Sequence, residues 1–342
     1  MKKFLLLLFI CCSCESDPIA EIVPKDKWMF VACEGNFGSS NGSIYMINQN
    51  GDIKSIDDVG DVVQSLEVYK NKLFVIVNNS HKIMAYDITA EGLRLPGIEI
   101  STENSSPREM KIINDKLYFT NWNSSDVKVL NLITYSLEDS IKVEGKPESI
   151  EVDGQNLWVG IQMNNDYSDG NKLLKINTSS NSIIGSYEIG KGPTSISVIN
   201  QDVYVANTYY DSNYNAYYGT TRFNSIEEVS DIKYYGAGVV CGGSVMEFSS
   251  YNSSSIDSKI FRSFEGGAAL IGKDLEIIEE NKLGSYEPSQ VYHIEAYGDN
   301  MYFGLTNYTD VNQVKVVDVF NKEIASYKVG LFPGDFAFWE SN

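Results

Sequence analysis

Two histidines, His81 and His293, are the only imidazoles in 342 residues, and that scarcity bounds the chemistry open to the chain. A zinc centre built on imidazoles, or a serine triad, needs partners that these two positions do not assemble. Carboxylates are abundant, so a pair of acids acting on a glycosidic bond stays open, yet no two acids stand out from the solvated background. The run DYSDGN from Asp166 offers oxygen ligands of the kind calcium takes, but it lacks the spacing of a calcium loop and reads as an ordinary turn. No catalytic set and no metal set is assigned. Segments rich in Asn, Tyr, Ser and Asp recur instead: EGNFGSSNGS from Glu34, NNSHK from Asn78, NWNSSD from Asn121, MNNDYSDGN from Met163, NTYYDSNYNAYYG from Asn207, FEGG from Phe264 and TNYTD from Thr306.

These segments are positioned by a repeat. The phrase PREMKIINDKLYFTNWNSSDVKVL begins at Pro107, PESIEVDGQNLWVG at Pro147, PTSISVINQDVYVANTY at Pro193 and PSQVYHIEAYGDNMYFG at Pro288. Each copy runs from an anchor to apolar residues three and five positions on, then a polar turn, then an aromatic, strongly apolar run. Anchors at Val63, Pro107, Pro147, Pro193, Gly243, Pro288 and Pro333 recur at about 40 to 50 residues, a spacing typical of propeller blades. Alternation after the anchor, as at Ile150 and Val152, and turn dipeptides such as Asp153-Gly154 read as short antiparallel strands rather than helices. The predicted fold is all-β, a seven-bladed β-propeller of four-stranded antiparallel blades. Only PGDFAFWESN follows the last anchor, and the chain enters at WMFVACEG without one. The two ends therefore complete one blade, with residues 336–339 pairing to 28–33, which closes the ring and leaves no free edge.

Residues 28–342 read as this single domain. Residues 1–14 read as a targeting segment: Lys2 and Lys3 precede FLLLLFI, too short to span a membrane, and then CCSCESD. This looks like a bacterial lipoprotein signal ending at an acylated Cys14, with Cys12 as the alternative acceptor and residues 15–27 as a surface tether. A cleaved leader without lipid stays open. Without Lys2 and Lys3 the formal charge moves from −19 to about −21, which repels phosphate backbones and excludes nucleic acid as a natural partner. Cys33 and Cys241 remain after processing. They fall in blades that are not neighbours, so both read as buried, reduced side chains.

In a propeller the seven segments quoted above become the loops of one face, the upper face, where function concentrates because the strands are committed to packing. Turn chemistry explains their asparagines but not their rings. The candidate ligand-binding residues are accordingly Asn36 and Phe37, Asn79 and His81, Asn121 and Trp122, Asn164 and Tyr167, Tyr209, Tyr210 and Tyr214, and Tyr308. The long segment holding Tyr209 to Tyr218 is expected to form a lid or wall. His293, aligned with Ile112, Val152 and Val198 in sister copies, reads as core.

The repeated phrase, the opening EGNFGSSNGSIYMIN and the leader together resemble the surface lipoproteins of Bacteroidetes built on a YncE-like seven-bladed propeller, over essentially the whole mature chain. Glu15 and Asp17, directly after the cysteine, resemble the signal by which such lipoproteins reach the outer cell surface. Within that group the resemblance to BtuG-like proteins implies capture of a corrinoid such as cobalamin as cargo, not as a catalytic cofactor. It also implies delivery to a TonB-dependent outer-membrane transporter, with membrane contact through the lipid anchor only. Asparagines and tyrosines suit a broad, amide-edged macrocycle; no dedicated cobalt ligand is implied, His81 being the one imidazole in these loops. A glycan-binding lipoprotein, a propeller lyase and a protein-interaction scaffold are the alternatives, and binding without catalysis is the expectation.

Overall fold

In the computed structural model, described for residues 25–238, 243–249, 259–309 and 312–341, seven antiparallel sheets of four strands stand around one axis. The order of strands in each sheet follows the chain, except where the ends meet. There Pro333–Glu340 pairs with Lys27–Cys33, with Trp28 opposite Trp339 and Val31 opposite Phe336. This is the closing blade that the two incomplete ends predict, and its first strand begins at Lys27. In the next blade the outermost strand is split into Gly92–Leu93 and Ile98–Ser101, both pairing with Lys82–Thr89.

Burial explains the residue types. The second strand of a blade is covered on both faces by neighbouring blades, so Lys72–Val77 (KLFVIV) and Lys116–Asn121 (KLYFTN) are buried from their second residue onward. Outermost strands such as Ser182–Glu188 stay largely exposed and alternate. The apolar clusters lie between blades: Trp28, Phe30 and Trp339 of the closing blade meet Leu73, Val75 and Tyr86 of the next, and Tyr118 and Val129 meet Leu157, Val159 and Ile176. Cys33 is buried and unpaired, and burial pushes its thiol up to about 12. Cys241 and the leader with Cys12 and Cys14 lie outside the described residues.

One anchor is corrected. Pro288–Gln290 is a turn of 3-10 helix, and the innermost strand of that blade starts at Val291, three residues later than the repeat suggests. Pairing fixes the true alignment: Ile294 faces Phe303 as Met110 faces Phe119 and Ile150 faces Val159. His293 is therefore level with Glu109, Ser149 and Asp335, not with Val152 and Val198, and it is not a core residue.

Trp339 packs in the cluster between the closing blade and its neighbour and donates its Nε1–H to Asn71 Oδ1 at 3.2 Å. Trp339→Ala is expected to lower stability by about 3 kcal/mol in urea denaturation. A loss below about 1 kcal/mol would contradict the closing contact as a seat of stability.

Candidate functional site

The innermost strands, among them Pro107–Ile113, Lys146–Asp153, Val291–Tyr297 and Pro333–Glu340, all enter from the upper face and border an axial channel of about 430 Å³. Because the apolar residues at the level of Met110, Ile150 and Ile294 are committed to packing, the positions on either side of them carry polar groups toward the axis. Strand rise is about 3.3 Å per residue, which sorts these groups into levels.

At the mouth, Arg108 grips Glu148 with two bonds, Nε to Oε2 at 2.9 Å and Nη2 to Oε1 at 2.8 Å, while its guanidinium lies 4.4 Å from the centre of the Trp122 ring. Burial works against the Arg108 charge, and Glu148 more than restores it. Opposite, Tyr292 donates its hydroxyl to Glu34 Oε2 at 2.8 Å. Gly334 makes room for that carboxylate, since a Cβ there would sit 2.8 Å from Glu34 Oε1. One level down are Glu109, His293 and Asp335; below them are Glu67, Lys111, Glu151 and Glu295, with Lys111 Nζ 3.1 Å from Glu151 Oε2.

Among the described residues, seven carboxylates thus share the channel with Arg108, Lys111 and His293. Enclosure by the channel walls, with like charge added, raises several of them. Burial lifts Glu67 to about 7 despite Lys111. Glu109 and Asp335 are also raised, by burial first and then by neighbouring acids. Burial opposes charge on His293, but Glu295, Asp335 and Glu109 outweigh it and hold the imidazole above its ordinary value.

The residues expected at the site divide into rings and amides. Five rings are displayed at the upper face: Phe37 is 77% exposed, Tyr167 69%, Tyr210 53%, Tyr214 88% and Tyr308 50%. They fall on two sides of the ring of blades. Tyr308 packs on Phe332, which stacks on Tyr292, so an aromatic path leads from the rim to the channel. On the other side Tyr209 stacks on Tyr217 at 5.4 Å, and Tyr210 reaches the channel mouth. The long segment from Asn207 is a wall: strands Asp202–Tyr210 and Ala216–Asn224 continue upward to a tight turn pinned by Asp211, which accepts from the Asn213 and Asn215 backbone amides.

The amides are scaffold. Asn121 is fully buried, bonded to Ser105 and to the backbone oxygens of Phe119 and Asp126. Asn79 donates to Asp61, which also accepts from the Gly38 amide and so pins the loop carrying Phe37. Asn164 closes its own turn on Ser168 and Asp169, and the Asn36 backbone N–H donates to Asn41 Oδ1 within the loop. His81 Nδ1 accepts from the Ser106 amide in a left-handed turn, so it braces a connection between blades. Asp166 is likewise spent on Ser168. Trp122 is a half-buried platform for Arg108, with Lys146 Nζ nearby over the Tyr167 ring. Buried asparagines satisfy strand ends that no regular ladder reaches, which is why their frequency in the loops does not report a ligand surface.

Arg108, Glu109, Glu148, His293, Glu295 and Asp335 escape sequence reasoning. The signal is present in PREMK, PESIE and VYHIE, where charged residues flank one apolar position. The same alternation describes a strand with a solvated face, and only ring closure turns that face inward.

No family model matches the chain, and no curated protein matches it. Solved structures do. A candidate 6-phosphogluconolactonase from Bacteroides uniformis is 13% identical over 92% of this chain and 99% of its own, with a TM-score of 0.63. Its counterpart from Bacteroides fragilis is 15% identical over 94% and 100%, with a TM-score of 0.61. Apo AztD from Citrobacter koseri is 10% identical over 93% and 99%, with a TM-score of 0.56. The likeness is one of fold. At such identities the shared seven-bladed propeller carries no activity with it.

The raised Glu67 carboxyl fixes a pH dependence. Its ordinary value is 4.5 and its folded value about 7, so its stabilising protonated form is complete below 4.5 and lost as pH rises through 7. Glu67→Gln, which mimics the protonated form, is expected to gain stability over the parent in urea titrations as pH rises from 5 to 8.5. A gap that stays constant or shrinks would contradict a raised Glu67.

Proposed function

We propose that the chain is a ligand-binding propeller that captures a small molecule across the upper mouth of its axial channel, without chemical conversion. The observation that carries this reading is the display of five solvent-exposed rings on one face, from loops on both sides of the channel mouth. Exposed rings are costly to leave in water and give rigid contact area at little entropic cost. At the mouth itself Arg108 is paired to Glu148 and Glu34 accepts from Tyr292, so the charges nearest the rings are already engaged within the protein.

A corrinoid fits this reading as cargo. It is too broad for a 430 Å³ channel and would lie across the rim, with rings beneath its macrocycle and Tyr210 at the channel mouth. The amide contribution expected from asparagines is reduced, because most of those side chains are bonded within the protein, and the rings take the larger share. Acylation at Cys14, placement on the outer cell surface and hand-over to a TonB-dependent transporter belong to the same proposal, and rest on the leader residues and the resemblance they carry.

Calorimetric titration of residues 15–342 with cyanocobalamin, against a panel of oligosaccharides, tests the reading. Nanomolar corrinoid binding is expected, weakened at least 10-fold by Tyr210→Ala with the thermal midpoint unchanged. Oligosaccharide binding lost in the same variant would retain the rim and replace the cargo. Corrinoid affinity unchanged by both Tyr210→Ala and Tyr214→Ala would overturn the rim as the site.

A further inference from the structure

We propose that His293, Glu295 and Asp335 are the protein ligands of a divalent transition-metal site on the wall of the axial channel, below the rim and separate from it. His293 Nε2 lies 3.7 Å from Glu295 Oε2 and 3.8 Å from Asp335 Oδ1, and all three ligand atoms fall within 4.8 Å of one another. These separations are too long for hydrogen bonds. They are close to the spacing of about 3.4 Å between two ligands on one tetrahedral ion with bonds near 2.1 Å. Contraction of the two histidine–carboxylate separations by a few tenths of an ångström, with the two carboxylates drawn together from within 4.8 Å, completes the set.

A second observation points the same way. His293 Nε2 is buried and has no hydrogen-bond partner, although two carboxylates face it. A buried nitrogen left without a partner is costly, and a cation between it and the two carboxylates satisfies all three groups at once. The Asp335 carboxylate is also held in place. Asp335 accepts from the Leu66 amide at 2.6 Å through Oδ2 and from its neighbour Phe336 at 2.9 Å through Oδ1, and the His293 ring packs 5.4 Å from the Phe336 ring.

Access is built in. The three side chains keep 23%, 33% and 20% of their surface open, so an ion can enter and retain a coordination position for water or for an anionic group reaching down from the mouth. The surrounding acids raise the local concentration of cations. One imidazole with two carboxylates suits Zn2+ or Mn2+ and disfavours soft ions that seek thiolates.

The test uses the full chain, stripped with chelator and titrated calorimetrically with Zn2+ and with Mn2+. One ion per chain is expected for at least one of them, with a rise in thermal midpoint on loading. Affinity should fall at least 100-fold in His293→Gln and in Glu295→Gln. Glu67→Gln, which removes a channel acid outside the triad, should change it by no more than a few-fold. Absence of stoichiometric uptake of either ion, or equal weakening in Glu67→Gln, would overturn the site.

Discussion

The antiparallel pairing of Pro333–Glu340 with Lys27–Cys33 is the contact on which the rest of the molecule depends. It completes the seventh four-stranded blade and so closes the ring, and it also builds the channel. Asp335 comes from the final strand, Glu34 from just beyond the first, and both meet residues of the preceding blade, Asp335 facing His293 and Glu34 accepting from Tyr292. Leu66, far away in sequence, orients Asp335 through its amide. Without closure these groups would be solvated side chains at two frayed ends; with it they share an enclosed space in which proton affinities shift.

Closure also reverses the usual meaning of an alternating strand. The innermost strands are covered by neighbouring blades at their apolar positions, and their polar positions have no exterior to face. They converge on the axis, where acids outnumber bases. The cost of gathering those carboxylates is met by the Arg108–Glu148 and Lys111–Glu151 pairs and by the raised proton affinity of Glu67 and Glu109. The rim above follows different rules. Its rings are braced by stacking, as in Tyr209 on Tyr217, and by cations such as Lys146 over Tyr167, so exposure there does not require mobility.

The blade count and the closing strand were legible because the repeat fixes a period and its incomplete copies lie at the two ends. The exposed rings were legible as well, since turn chemistry gives no reason for Phe37 or Tyr214. Two things were not. The 3-10 turn at Pro288–Gln290 imitates an anchor three residues early, and this slip hid His293 among core positions. The roles of Asn79 and Asn121 depend on partners such as Asp61 and Ser105, brought close only by the tertiary fold, and no local pattern distinguishes a bonded amide from an available one.

Amide hydrogen exchange across the closing pair reports whether the ring is held shut. Lys27–Cys33 and Pro333–Glu340 are expected to exchange as slowly as buried interior strands such as Asn156–Met163, through global unfolding alone. Exchange at the fast rates of fraying termini, with the interior strands still protected, would contradict it and would separate Asp335 and Glu34 from the channel they are held to build.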